Sequence, residues 1–256
     1  MGTLFAVALA LGLLAIIGLL RQRQMERRRL LQFVKSLDIS ADSGRDAVFS
    51  AASRIFDLPD SRRDPVWISR LFEPFGASPG AIIDIGGCCS GKSRLLILCL
   101  SELGIRSHQV TLYHKDGYAQ HCLVEVVLPG ERFILDPTYG IYLGDNASRG
   151  LSLIDLQRGA VPNHIPFTTR PDWGYPDDGD DYYNFDYAAT KTANWTCSAT
   201  RRVAYALLHK MSLGAVDRLM VPAWFEWPQN IGISAIAVLL SIVAMAMAYG
   251  SVVPSP

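Results

Sequence analysis

The two ends of the chain are uniformly apolar, whereas the region between them mixes hydrophobic and polar positions. Residues 3–20 form eighteen consecutive positions without a charge, and residues 231–249 form nineteen. A helix needs roughly 20 apolar residues to cross a bilayer. We therefore predict transmembrane helices over residues 1–20 and 231–250. A signal peptide is the alternative for the first segment, and a buried core helix is the alternative for either.

The charges that flank the first apolar segment predict its orientation. The positive-inside rule places arginine-rich flanks on the cytoplasmic side of a membrane. No charged side chain occurs in residues 250–256, after the second segment. We therefore predict a cell-membrane protein whose residues 21–230 form a cytoplasmic domain, with both short ends outside. The arginines that follow the first segment are Arg21, Arg23, Arg27, Arg28 and Arg29.

Between the ends, the spacing of hydrophobic positions changes from helical to strand-like. Apolar residues recur every three or four positions in residues 26–37, 43–56, 66–72, 90–103, 152–156 and 201–213, which predicts helices. Residues 109–113, 120–128 and 132–135 instead have strand composition and are separated by turn sequences. One helix followed by an antiparallel meander indicates an α+β fold.

Composition excludes several functional classes. Lysine plus arginine and aspartate plus glutamate both total 24, so the formal net charge is zero and no nucleic-acid partner is expected. The five cysteines lack the paired spacing of a disulfide framework or a zinc site. We predict free thiols in a reducing compartment, and neither a metal nor an organic cofactor.

Residues 171–187 combine aspartates with aromatic side chains in a loop-like sequence. A calcium site, a lid that contacts substrate, and a solvated loop are the three alternatives. The segment lacks the regular ligand spacing and terminal glutamate of a calcium loop. Its six aspartates are Asp172, Asp177, Asp178, Asp180, Asp181 and Asp186.

Residues 86–93, with the sequence GGCCSGKS, allow two chemistries. The spacing Gly86-x4-Gly91-Lys92-Ser93 matches a phosphate-binding loop. Such a loop requires a parallel sheet and a second acidic residue for magnesium. We find one strand-to-helix unit, with residues 81–85 as its strand, and Asp136 lies in a hairpin series. Nucleotide binding at Gly86–Ser93 is therefore the minor alternative.

The second chemistry is that of a thiol nucleophile. A cysteine at a helix N-terminus has its thiolate stabilised by the helix dipole and by free N–H groups. It also needs a histidine as base and a carboxylate that orients the imidazole. His121 begins the middle predicted strand and Asp136 ends the next one. Neighbouring antiparallel strands can bring such residues together.

Three sequence blocks in this region resemble the transglutaminase-like superfamily of papain-type cysteine enzymes. They are GCCSGKSRLL at residues 87–96 with ELGI at 102–105, HCLVEV at 121–126, and ILDPTYG at 134–140. The resemblance covers residues 80–140. It implies a papain-like core in which a helix that bears the cysteine packs on an antiparallel sheet.

The resemblance also implies a catalytic triad. It assigns Cys89 as nucleophile, because the family's cysteine lies six residues before a leucine pair and Cys89 has this spacing to Leu95. His121 matches the histidine block and Asp136 the Asp-Pro block. Leu123 stands where the family commonly has an aromatic residue, and no side chain for an oxyanion hole is identified.

Other candidates in the same region have ordinary structural interpretations. Cys88, Cys99 and Cys122 are expected to be small buried residues. His114 is the competing base, but it precedes a predicted turn and is expected at an exposed hairpin tip. Lys92 either favours the Cys89 thiolate electrostatically or is solvated.

These observations together predict a membrane-anchored, cysteine-dependent acyl-transfer enzyme: a peptidase, an amidase or a transglutaminase-like transferase. Its substrate would be a protein or peptide amide. The alternative is a non-catalytic transglutaminase-like scaffold within a membrane assembly. In either case the two transmembrane helices offer surfaces for membrane-protein partners.

Overall fold

The computed structural model describes residues 2–37, 44–60, 77–168, 185–193, 199–212 and 215–252. The predicted helix at residues 66–72 lies outside the described residues. So does the acidic and aromatic segment, apart from its last three residues. Two of the predictions made from the sequence are therefore left without a structural counterpart.

Four helices precede the sheet: α1 (Gly2–Ser36), α2 (Gly44–Phe56), α3 (Pro79–Ile85) and α4 (Cys89–Glu102). The helices predicted at 26–37, 43–56 and 90–103 are confirmed. The strand inferred at 81–85 is wrong, because that run belongs to α3. Ser78 caps α3 by accepting a hydrogen bond from the Ala81 N–H at 3.3 Å, and Pro79 occupies its first turn. Both features favour a helix start over a strand.

The sheet has six strands: β1 (Arg106–His114), β2 (Ala119–Leu128), β3 (Glu131–Asp136), β4 (Ile141–Gly144), β5 (Asn163–Pro166) and β6 (Phe185–Lys191). Their order is β5-β4-β3-β2-β1-β6, and every neighbouring pair is antiparallel. The predicted meander is β1 to β3, and the α+β class is confirmed.

Two hydrophobic clusters cover the two faces of the sheet. Helix α4 packs on one face with α1 and α2, and its apolar side chains between Leu95 and Leu100 are fully buried. Each such side chain contributes about 1.5–3 kcal/mol by burial. The other face packs against the short helix α5 (Leu153–Gln157). Because α4 is buried so completely, its N-terminus is held at a fixed place on the sheet.

The remaining elements lead to the C-terminal end. Helix α6 (Ala199–Ser212) is followed by two short 3₁₀ helices, Ala215–Arg218 and Ala223–Glu226, and then by α7 (Pro228–Val252). The helices predicted at 152–156 and 201–213 correspond to α5 and α6.

Helices α1 and α7 are long and apolar enough to cross a bilayer. They run antiparallel and in contact. A Cβ atom on Gly12 would lie 2.8 Å from the Leu240 side chain, and the guanidinium of Arg23 lies 5.5 Å from the centre of the Trp227 ring. The two helices therefore form an antiparallel pair, and the end of the pair near Arg23 and Trp227 adjoins the sheet domain.

Helix α1 continues past its apolar part and binds the domain through three polar contacts. The Glu26 carboxylate accepts from the Gly80 N–H at 2.7 Å. Arg27 donates to both carboxylate oxygens of Glu102, at 2.8 and 2.9 Å. Arg29 pairs with Asp84 at 2.5 Å. These contacts join α1 to α3 and to the far end of α4.

Candidate active site

Two glycines shape the turn that leads into α4. Gly86 has a φ of +82°, and a Cβ there would lie 1.9 Å from the carbonyl oxygen of Pro59. The Gly87 N–H donates to that same oxygen at 3.1 Å. A side chain at residue 86 would displace backbone, so only glycine fits. The turn is thus tied to the chain that leaves α2.

Cys89 is the first residue of α4 and is half-buried. The first hydrogen bond within the helix runs from the Lys92 N–H to the Cys88 oxygen at 2.9 Å. The N–H groups of Cys89, Ser90 and Gly91 consequently have no acceptor inside the helix. Together with the helix dipole they create a positive electrostatic environment at the Cys89 thiol.

His121 and Asp136 lie on one face of the sheet because of strand register. Val124 of β2 pairs with Leu135 of β3. His121 is three residues from Val124 and Asp136 is one from Leu135, so both point to the face opposite that pair. The His121 Nε2 and Asp136 Oδ2 atoms are 2.6 Å apart. This is hydrogen-bond distance for a charge-assisted pair.

Asp136 is fully buried, and the turn that follows it orients its carboxyl group. Its Oδ1 atom accepts from the N–H of Thr138 at 2.7 Å and from that of Tyr139 at 3.2 Å. Its other oxygen remains for His121. The turn therefore aims the carboxylate at the imidazole.

Two contacts, one with the Asp136 carboxylate and one with the Cys89 thiol, set the charge of His121. Burial alone would lower its pKa, but attraction to Asp136 and their hydrogen bond raise it, as does a hydrogen bond with Cys89. The net result is a pKa of about 10. The imidazole thus contacts Asp136 through Nε2 and also contacts the Cys89 thiol. The structure thus brings together Cys89, His121 and Asp136, the three site residues that the sequence predicts.

Two aromatic rings complete the surroundings of His121. The Tyr139 ring is tilted against the imidazole with centroids 5.3 Å apart, and the Phe185 ring stacks at 6.3 Å. Sequence reasoning missed both. Tyr139 lies in the Asp-Pro block and was open to detection there, whereas Phe185 arrives from β6, 64 residues beyond His121.

The expectation that Cys88 is buried is wrong. Cys88 is exposed, because it is the extended N-cap residue of α4, and its Sγ lies 3.2 Å from Ser90 Oγ. A hydrogen bond with Cys89 and, to a smaller extent, partial desolvation raise the pKa of the Cys88 thiol to about 12. Cys99 and Cys122 are buried as expected, and burial raises the pKa of Cys99.

Lys92 is fully buried, which corrects the prediction of a solvated side chain. Its Nζ lies 2.6 Å from Asp60 Oδ1 and donates to the Phe56 oxygen at 3.2 Å. Because α4 is enclosed by protein around Lys92, the ammonium needs a partner inside the fold.

The phosphate-loop match lacks its structural context. Helix α3 stands where the motif requires a strand, and all strand pairs of the sheet are antiparallel. The lysine that would reach phosphate oxygens is already paired with Asp60. The match at Gly86–Ser93 therefore has neither the topology nor the free cation that phosphate binding uses.

His114, the competing base, lies at the β1–β2 hairpin. It is half-buried, stacks on Tyr118 with ring centroids 4.9 Å apart, and its Nδ1 is 3.0 Å from Asp116 Oδ2. It is thus less exposed than expected, and its partners belong to its own hairpin. His121 is the histidine that contacts Cys89.

Within the part of the chain that the structure describes, no three metal-binding side chains converge. Of the six aspartates in the acidic segment, Asp186 is described. Its Oδ1 accepts from the N–H groups of Ala188 and Ala189 at 3.1 and 3.3 Å, as in a strand-end turn. Comparison of the chain with known protein families, with curated proteins and with solved structures finds no match.

Proposed function

We propose that this chain is a membrane-anchored cysteine-dependent acyl-transfer enzyme with a transglutaminase-like core. The observation that carries the proposal is the 2.6 Å contact between His121 and Asp136, beside a cysteine at the N-terminus of a buried helix. A nucleophile, a base and an orienting carboxylate are the parts that acyl transfer requires.

The reaction begins with Cys89. Its sulfur attacks the carbonyl carbon of a protein or peptide amide, and a protonated His121 next to the thiol is the arrangement that favours a thiolate. The tetrahedral oxyanion is held by free N–H groups in the first turn of α4. His121 then donates its proton to the leaving amine, which yields a thioester on Cys89 and a free amine.

The thioester is resolved by water or by a second amine. Water, deprotonated by His121, releases a carboxylic acid and restores the thiol, as in a peptidase or amidase. An amine in place of water gives a new amide, as in a transglutaminase. Asp136 keeps the same ring orientation in both steps through its contact with Nε2.

The two apolar helices supply the membrane anchor of this proposal. In this proposal the α1–α7 helix pair crosses the cell membrane, supported by the length and apolar composition of both helices. The arginines after the apolar part of α1 support a cytoplasmic sheet domain under the positive-inside rule. The Cys89 site would then act on amides at the cytoplasmic face.

A thiol-reactive acyl probe tests the proposal. The full chain in detergent or nanodiscs should be acylated at Cys89, and Cys89→Ala should abolish the labelling. Cys88→Ala is the matched control, since Cys88 is adjacent and more exposed. It should keep the labelling. Absence of labelling in the wild type, or its loss in the Cys88 variant alone, contradicts the enzyme and favours the scaffold.

A further inference from the structure

An exposed apolar surface lies directly before α7. The side chains of four residues in this stretch are between 37% and 57% exposed, although each is large and apolar. Soluble proteins leave single apolar side chains exposed, whereas four such side chains within seven residues, 219–225, indicate a contact surface. We call this group the seat surface; it consists of Leu219, Met220, Trp224 and Phe225.

The exposure is built into the fold. In the 3₁₀ helix before α7, Trp224 and Phe225 point outward with their rings edge to face and 5.0 Å apart. The next two residues, Glu226 and Trp227, are buried. Glu226 pairs with Arg94 of α4 at 3.3 Å. The buried Glu226 and Trp227 thus anchor the exposed Trp224 and Phe225 to the domain.

Uncompensated positive charge lies near the same level on α1. Arg23 stacks over Trp227, which follows the seat surface by two residues along the chain. Arg27 and Arg29 are neutralised by Glu102 and Asp84. Arg21 and Arg28 are exposed, and neither forms an ion pair with any other residue that the structure describes. Two cations therefore remain for an external partner.

We propose that the seat surface, with Arg21 and Arg28, binds the headgroup region of an anionic bilayer. Phe225 lies three residues before α7, so the seat surface leads directly into the second membrane helix. Tryptophan and other aromatic rings favour this depth, and arginines near it attract anionic lipid. The arrangement fixes the tilt of the sheet domain on the membrane, with the Arg94–Glu226 pair joining the surface to α4.

Lipid photo-crosslinking of the full chain tests this proposal. A benzoylphenylalanine is placed singly at Leu219, Phe225 or Val161 in nanodiscs of phosphatidylglycerol and phosphatidylcholine. Val161 is the control, since it is 85% exposed and lies outside the seat surface. Lipid adducts are expected at 219 and 225 and not at 161. Leu219 is decisive, because it lies nine residues before α7; no adduct there, or an adduct to protein, overturns the proposal.

A charge variant tests the anionic preference. In the chain that carries benzoylphenylalanine at residue 219 and keeps both arginines, the yield of lipid adduct should increase about fivefold for each arginine when phosphatidylglycerol replaces half of the phosphatidylcholine. Arg21→Gln with Arg28→Gln should remove most of this increase. Equal yields in both lipid mixtures for the residue-219 crosslinker chain with both arginines would overturn the anionic headgroup as the ligand. This inference rests on the membrane anchor of the proposed function. Because acyl transfer is not measured, failure of the lipid test is distinguishable from failure of the enzymatic proposal.

Discussion

Two buried histidine–carboxylate pairs lie on the same face of the sheet, and only one of them adjoins a nucleophile. His121 Nε2 is 2.6 Å from Asp136, and His108 Nε2 is 3.0 Å from Glu125 Oε2. His108 and Glu125 pair directly across β1 and β2, and Glu125 is four residues from His121 on β2. All four side chains are less than 10% exposed.

The surroundings of the two pairs differ. Glu125 accepts a hydrogen bond from the Leu153 N–H at 2.8 Å, at the start of α5, so its pair joins the sheet to the second hydrophobic cluster. His121 lies near the end of β2, where α4 brings Cys89 to it. A histidine–carboxylate pair therefore forms a structural link inside the sheet in one case and a candidate catalytic pair in the other. The role of each pair depends on the group beside it, which is the Leu153 N–H for one pair and the Cys89 thiol for the other.

The largest predicted contrast comes from neutralising each carboxylate. Asp136→Asn should slow acylation of Cys89 by about 10²- to 10⁴-fold, because the amide no longer stabilises the imidazolium. Glu125→Gln should change that rate less than about threefold, while lowering the free energy of unfolding by about 1–3 kcal/mol. Stopped-flow labelling and thermal melts measure both quantities. Equal slowing by the two variants would remove the distinction between the pairs.

A smaller effect is expected when Cys89 is displaced and the histidine pair is left intact. In Gly86→Ala the new Cβ would collide with the Pro59 oxygen, so the turn must shift. A misplacement of about 1 Å at a reacting group costs about 100-fold in rate. Acylation should fall by about that factor.

Gly104→Ala is the matched control for Gly86→Ala. Gly104 also has a positive φ, of +76°, but no atom outside its neighbours lies within 4 Å of its Cβ position. It should lose about 1 kcal/mol of stability and keep its acylation rate. If Gly86→Ala reacts as fast as Gly104→Ala, the turn does not position Cys89.

The residues of the candidate site were predictable because each lies at the end of a strongly patterned element. Residues 90–103 have helical spacing, and the strands with His121 and Asp136 are bounded by turn sequences. The 2.6 Å contact itself depends on the orientation of both side chains and on the turn that holds Asp136, neither of which the strand pattern specifies.

The elements that sequence analysis missed are those that tertiary contacts create. Strands β4 and β5 have four residues each, which is too short for a clear alternation. The run 81–85 was misassigned because a short, mainly apolar run fits a strand as well as a helix, and its Ser78 cap was overlooked. Lys92 was expected in water because helical position alone does not show which face is enclosed.

The titration of His121 predicts a pH dependence of stability. Its pKa is raised from 6.5 to about 10 in the folded protein. The pair thus stabilises the fold fully below about pH 6.5 and loses this contribution as the pH rises toward 10. The free energy of unfolding should fall by up to about 1.4 kcal/mol per pH unit in this window.

Comparison with the Asp136→Asn variant isolates that pH effect. The variant lacks the charge that raises the pKa of His121, so its stability should depend less on pH between 7 and 10. Urea unfolding at several pH values provides the free energies. Parallel curves for the two proteins would show that His121 is not protonated when folded.

The smallest effect is expected for Lys92, the other buried cation near Cys89. Lys92→Met should change the free energy of unfolding by less than about 1 kcal/mol, because Asp60 is 48% exposed and water can solvate its carboxylate. Asp60→Ala is the contrasting variant: it leaves the ammonium buried without its carboxylate and should cost about 1–3 kcal/mol. Neither change should alter acylation more than about threefold if His121 alone supplies the positive charge for Cys89. A tenfold loss in Lys92→Met at unchanged stability would instead show that the ammonium acts on the thiolate.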